Sequence, residues 1–225
     1  MEVFFKYEFL FLFGSFIGFI LEITFSRIYN KEWINPGFLV GPWVPIYGFG
    51  MICAIIVYNF IPNIFFASLI SCLLLTLMEL IAGIMFKRMN VKLWDYSDYT
   101  LNYKGYICLF FSLIWFVSAL LFYIFFIIHV TNISTAFINF DYSPFILGII
   151  LGLFLIDVIY SYDILLKIKE YASKNHVIVK YEEFKSHIKR FMRLNKEKYS
   201  YVFPFKTNLE KYIKNYKNKI KKHNK

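Results

Sequence analysis

Three carboxylates stand where carboxylates are costly. Glu22, Glu79 and Asp157 each fall inside a long apolar run, and a charged side chain deep in a bilayer span costs about 2.5–3.5 kcal/mol on insertion scales. Groups kept at that cost usually pair, bind ions or relay protons. Along the chain they lie five, eight and ten residues before the next cation, Arg27, Lys87 and Lys167. At 1.5 Å per residue those separations are roughly 7, 12 and 15 Å, which puts all three in the same half of the membrane.

Helical spacing says which faces they use, because residues three and four apart stack on one side. Gly14, Gly18, Glu22 and Ser26 form one stripe, and Cys72, Thr76, Glu79 and Gly83 form another. Stripes of small or weakly polar residues pack on neighbouring helices rather than on lipid. Glu22 could equally snorkel to the interface beside Arg27. Glu79 is deeper, which favours a role inside the bundle. Asp157 can pair with Tyr160 or Ser161 one turn on, so structural and functional readings both stand.

A second acidic group lies in MNVKLWDYSDYTLNYKG, where Asp95 and Asp98 sit among Trp94, Tyr96, Tyr99 and Tyr103. Carboxylates with aromatic walls can receive a cationic ligand. The same string also reads as an interfacial aromatic belt with Asx turns, and that reading is favoured. A partner-docking surface is a third reading. Cys53, Cys72 and Cys108 lack metal-type spacing, so neither a disulfide nor a metal centre is expected, and no cofactor. No Ser/His or H-E-x-x-H arrangement occurs, and no G-x-x-x-x-G-K-[ST] phosphate loop. Catalytic residues are therefore not assigned.

The elements that must carry these residues follow from composition. Hydrophobic residues make up 59% of the 225, well above the roughly 45–50% of soluble domains. Five apolar runs stand out, about residues 7–26, 47–61, 63–86, 106–130 and 145–166. A bilayer span takes about 20 helical residues, so the second is short. Basic residues near span ends stay in the cytoplasm. Arg27 and Lys31 follow the first run, and Lys87, Arg88, Lys92 and Lys104 lie between the third and fourth. The connections around Pro62 and from Thr131 to Ser143 hold neither Lys nor Arg. Five spans with the N-terminus outside and the C-terminus cytoplasmic satisfy every connection. The first run lacks a basic leader and a small-residue cleavage site, so it reads as a retained span.

Residues 167–225 form the second region, a basic cytoplasmic tail after a transmembrane domain of residues 1–166. It holds 18 of the 25 Lys and Arg residues with five acids. Phe205, Leu209, Tyr212, Ile213, Tyr216 and Ile220 recur at helical spacing after Pro204, and Phe184, Ile188, Phe191 and Met192 form a shorter stripe. Basic amphipathic helices suit an anionic lipid surface. A chain already held in the membrane meets that surface first, so no nucleic-acid partner is expected.

One stretch is neither regular nor polar. NPGFLVGPWVPIYGFG, residues 35–50, carries Pro36, Pro42, Pro45 and four glycines including Gly37 and Gly41, with no charge. Proline opposes an unbroken helix, and irregular backbone survives in hydrocarbon only where protein or a water-filled cavity satisfies it. An embedded, tightly packed or re-entrant connection is expected, lining a cavity with Glu22 and Glu79. The competing reading is an interfacial loop anchored by Trp33, Trp43 and Tyr47.

Spans 1 and 2 also resemble a distant copy of spans 3 and 4. Each pair has a glutamate-bearing helix, a basic cluster and Lys-x-Trp (Lys31 and Trp33; Lys92 and Trp94). That would be a parallel repeat about an axis along the membrane normal. The fold class expected is thus an all-α polytopic membrane protein of about five transmembrane helices, a 2+2 parallel repeat plus one, with an embedded Pro/Gly segment and a basic helical tail.

The strings GSFIGFILEI, NPGFLVGPWVPIYGFG, LMELIAG, LWDYSD and KGYICLFFSLIW together resemble the bacterial membrane family described as Putative ABC-transporter type IV, over about residues 8–130. The resemblance implies a small permease-like transport component of the bacterial plasma membrane. Lacking a phosphate loop, such a chain would take its ATPase as a separate subunit, and a homo-oligomer is a second expected assembly. Two other functions stay open: an intramembrane enzyme on lipid or envelope precursors using Glu79 with Asp95 and Asp98, and a non-transporting scaffold or sensor.

Overall fold

The computed structural model describes residues 1–31, 33, 35, 37–175, 177–181, 184 and 185. The tail stripes from Ile188 onward, and Pro36, lie outside the described residues. Helix α1 covers Glu2–Asn30, α2 Pro45–Phe60, α3 Ile64–Arg88, α4 Leu109–Leu121, α5 Ile127–Ile138 and α6 Ser143–Asn175. A π-helical turn, Phe122–Phe126, joins α4 to α5. Among the described residues, four helices are long and apolar enough to cross a bilayer: Glu2–Ile28, Ile64–Arg88, Leu109–Ile138 and Ser143–Lys174. Helix α2 is apolar but has only 16 residues, about 24 Å at 1.5 Å per residue.

Several boundaries differ from those expected. The fourth run does not stop at Val130: the chain stays helical to Ile138, so the connection to α6 shrinks to residues 139–142. Ser and Thr there bond back to the preceding turn, Thr131 Oγ1 to Ile127 O at 2.8 Å and Thr135 Oγ1 to Thr131 O at 2.9 Å, so polar composition does not break the helix. Cys108 is not inside a span but in the residue before α4. Helix α6 continues past Lys167 to Asn175. The Pro/Gly stretch is irregular only as far as Val44; Pro45 opens α2, and Tyr47, Gly48 and Gly50 are helical. Proline suits a first helical position because its missing N–H has no partner there in any case.

Close packing of α1 on α2 explains the glycines. A Cβ on Gly14 would lie 3.0 Å from the Tyr47 carbonyl oxygen, and one on Gly48 would run into Ser15 and the Phe11 carbonyl. Small residues at such crossings let the backbones approach, the main route to helix association in lipid. Outward faces are the reverse: Leu73, Leu77, Ile81 and Met85 on α3 and Leu153, Ile156 and Ile159 on α6 are exposed, as lipid-facing positions should be. The π turn aims buried Tyr123 at α2 and α3, where its hydroxyl bonds Ser71 at 2.6 Å and donates to Ala54 O at 2.9 Å.

Among the described residues, four two-residue strands cap one end of the bundle. β1 (Val91–Lys92) pairs in parallel with β4 (Val179–Lys180), and β2 (Asn102–Tyr103) pairs antiparallel with β3 (Ile107–Cys108). The chain beyond α6 thereby returns to the connection after α3. Val40, Val91, Ile164, Ile168, Val179, Tyr181 and Phe184 share a small apolar core there. This is the end where Arg27, Lys87, Arg88 and Lys167 gather, and it holds the carboxylates.

Candidate functional site

Both glutamate stripes face protein. Gly18 in α1 leaves room for the Tyr47 ring, where a Cβ would collide, and one turn on Glu22 Oε1 accepts a hydrogen bond from Tyr47 Oη at 2.7 Å. Glu22 is half-buried against α2 rather than snorkelling toward Arg27, which instead bonds the Lys31 carbonyl and lies 5.7 Å from the Trp33 ring. On α3, Cys72 and Thr76 meet Ser112 of α4. Gly83 leaves room for Tyr106.

Glu79, 4% exposed, is held from two sides. Its Oε1 accepts from Tyr96 Oη at 2.8 Å and its Oε2 from Trp115 Nε1 at 3.3 Å. The Tyr96 ring stacks on Phe111 at 4.4 Å, and the Trp115 and Tyr47 rings lie 5.5 Å apart, so aromatic walls run from one glutamate to the other. The ring that bonds Glu22 thus lies beside the ring that bonds Glu79. None of the ion pairs among the described residues involves either glutamate, and their hydrogen-bond donors are neutral phenols and an indole. Burial, then the Glu79 charge and the bond to it, push the Tyr96 phenol far above its ordinary range, so Tyr96 remains a donor. Such a pair concentrates negative charge in an apolar bundle and can take up a proton or a cation, the latter against aromatic faces.

Asp157 is elsewhere. Its Oδ1 accepts from the Gly41 amide at 3.0 Å and from Ser161 Oγ at 3.3 Å, and Ser161 Oγ accepts from the Val40 amide at 2.9 Å. A Cβ on Gly41 would sit 2.8 Å from Asp157 Oδ2, so any larger residue would press on the carboxylate that takes this amide. Two further amides of the segment are also taken, Trp43 N by Gly41 O at 2.9 Å and Val44 N by Ser15 O at 3.0 Å. Pro42 has no amide hydrogen to satisfy. Irregular backbone here is thus buried in protein, one of the two conditions under which it is tolerated at membrane depth. Trp43 packs edge-on against Phe154 at 5.9 Å rather than anchoring a loop, whereas Trp33 is 45% exposed. Gly37 adopts a left-handed φ of 67°.

Asp95 and Asp98 do not join the glutamates. Asp95 Oδ2 pairs with Lys92 Nζ at 2.7 Å while its Oδ1 accepts from Ser97 N at 3.2 Å, an Asx turn. Burial pushes its carboxyl up, but the Lys92 and Ser97 bonds outweigh that and hold it below the ordinary value. Asp98 is exposed. The residue between them that reaches the site is Tyr96. Sequence reading passed over Trp115 and treated Tyr96 as wall rather than donor. Trp115 shares a helical face with Ser112, which meets the Glu79 stripe at Cys72 and Thr76, but no spacing in the sequence singles it out from the other aromatics of its helix.

A bundle of helices long and apolar enough to cross a bilayer, with apolar side chains on its outward faces, is an integral membrane protein. The chain belongs to the family described as Putative ABC-transporter type IV, whose model matches residues 9–162. The match takes in Glu22, Glu79, the Pro/Gly segment and also Asp157, beyond the motifs that first suggested it. No curated protein and no solved structure matches the chain.

Removing the Tyr96 hydroxyl should leave Glu79 Oε1 without its donor at a cost of about 1–3 kcal/mol. Tyr96→Phe is therefore expected to lower the melting temperature in detergent by several degrees, and Tyr103→Phe, at an exposed position, to leave it in place. Equal melting of the two variants would contradict the Glu79 contact.

Proposed function

We propose that this chain is a permease-like transport component whose ligand site is the Glu22–Glu79 pair. The observation that carries the reading is two carboxylates from different helices, bonded by neutral groups alone and walled by Tyr47, Tyr96, Trp115 and Phe111, in a member of a transporter-type family. Uncompensated charge inside a bundle calls for a proton or a cation. Gly37, Gly41, Pro42, Trp43 and Pro45 place Tyr47 against Glu22, with Pro36 read as part of the same embedded segment, and so shape one wall of the site. The enzyme alternative loses support because Asp95 is committed to Lys92 and Ser97.

The same reading places the chain in the bacterial plasma membrane, N-terminus outside, with the Arg27, Lys87 and Lys167 end in the cytoplasm. The tail then meets anionic lipid, and an ATPase, if one partners this chain, docks at that end as a separate subunit. A homo-oligomer is compatible with the exposed apolar faces. A reporter fused after Asn139 should read outside and one after Asn90 inside; a cytoplasmic signal at Asn139 would reverse the orientation.

Transport is tested in liposomes containing a pH-sensitive dye, under Na⁺ or K⁺ gradients, with the chain alone and with any ATPase that co-purifies. Glu79→Gln should cut cation-dependent proton flux by about tenfold or more, as expected when a charge-bearing group of a membrane pathway is lost. Its elution profile and melting temperature should stay near those of the unmodified protein. Undiminished flux in Glu79→Gln would remove the glutamate from the pathway.

A further inference from the structure

The segment after α6 touches both connections that feed the glutamates. Tyr181, 1% exposed, donates to Phe38 O at 3.2 Å, and Lys185, 9% exposed, donates to Asn35 O at 3.1 Å and Gly37 O at 2.8 Å. The Lys185 ammonium lies 4.7 Å from the Tyr181 ring, a distance at which the cation is attracted to the ring face. On the other side, Val179 N donates to Asn90 O at 3.0 Å, and β4 pairs with β1. Residues 35–41 lead in a few steps to Tyr47, the donor to Glu22. Residues 90–92 lead as directly to Tyr96, the donor to Glu79. Asp157 and Ser161 fix the first of these connections from beneath through the Val40 and Gly41 amides.

We infer that Asp157 is a positioning residue and not an ion ligand, and that residues 177–181, 184 and 185 form a strap coupling the basic tail to the carboxylate pair. Asp157 acts as a hydrogen-bond acceptor that seats the Pro/Gly segment, and Tyr181 and Lys185 clamp that segment from above while β4 clamps the connection after α3. Displacing the strap frees both glutamate-holding tyrosines together. The tail continues directly from the strap and carries most of the protein's positive charge. Whatever draws the tail away, such as an anionic surface, therefore acts on the site without touching it. This inference rests on the reading of Glu22 and Glu79 as the site, and its test does not require transport.

The test is the labelling rate of Glu79 by dicyclohexylcarbodiimide, an apolar carboxyl reagent, read by peptide mass spectrometry on the full chain in nanodiscs. Asp157→Ala and Lys185→Met should each raise the rate about tenfold, the factor expected for loss of one hydrogen bond to a charged group. Asp157→Asn keeps an oxygen for the Gly41 amide and should stay within about twofold of the unmodified protein. If Asp157→Ala does not fold, Ser161→Ala and Tyr181→Phe report on the same contacts more gently and should raise the rate by smaller factors. Labelling of Asp157→Asn as fast as Asp157→Ala would show that the charge matters rather than the acceptor, overturning the positioning role. An unchanged rate in Lys185→Met would overturn the strap.

Discussion

A bilayer offers no hydrogen bonds, so every polar backbone group at membrane depth must be satisfied by the protein itself. The stretch between α1 and α2 is the place where this constraint is hardest to meet, because Pro42 and Pro45 prevent the helix that would otherwise satisfy it. Its solution is specific: Val40 and Gly41 donate to Ser161 and Asp157 of α6, and Val44 donates to the Ser15 carbonyl of α1. An anchor in the last helix and another in the first thus hold a loop that precedes the second. The placement of Tyr47, and with it one side of the glutamate pair, follows from that seat.

The three carboxylates of the apolar runs consequently divide by task. Asp157 uses one oxygen, Oδ1, to take the Gly41 amide and the Ser161 hydroxyl, which ties α6 to the irregular segment, while its Oδ2 is buried without a hydrogen bond. Glu22 and Glu79 are instead held by residues that each bring an aromatic ring with the donor, so the same contacts that orient the oxygens also wall the space between them. Gly18 makes the first of these contacts possible by admitting the Tyr47 ring where a Cβ would collide with it. The connections that lead to Tyr47 and Tyr96 are both contacted by the chain returning after α6.

Much of this was legible in the amino-acid sequence. Helical periodicity placed Glu22 and Glu79 on small-residue stripes, and both stripes do face neighbouring helices. The irregular course of residues 37–44 followed from proline and glycine, and their packing against protein from the absence of charge. Asp157 to Ser161 was readable as an i, i+4 pair. What could not be read was long-range: nothing in the spacing of Asp157 and Gly41 announces a bond across 116 positions. Trp115 could not be picked from many aromatics as the partner of Glu79. Boundaries failed where local composition misleads, at Thr131–Ile138 because Ser and Thr back-bond within a helix, and at Pro45 because a proline that forbids one helix begins the next.

The division of labour among the carboxylates depends on the amides of Val40 and Gly41 being buried and bonded. Hydrogen exchange at those two amides, measured on the full chain in nanodiscs, tests this most directly. The account predicts that both exchange as slowly as amides within α1, and that Asp157→Ala speeds Gly41 selectively by about tenfold or more, as loss of a charged acceptor implies. Exchange of Gly41 in the unmodified protein at the rate of an exposed loop would contradict it.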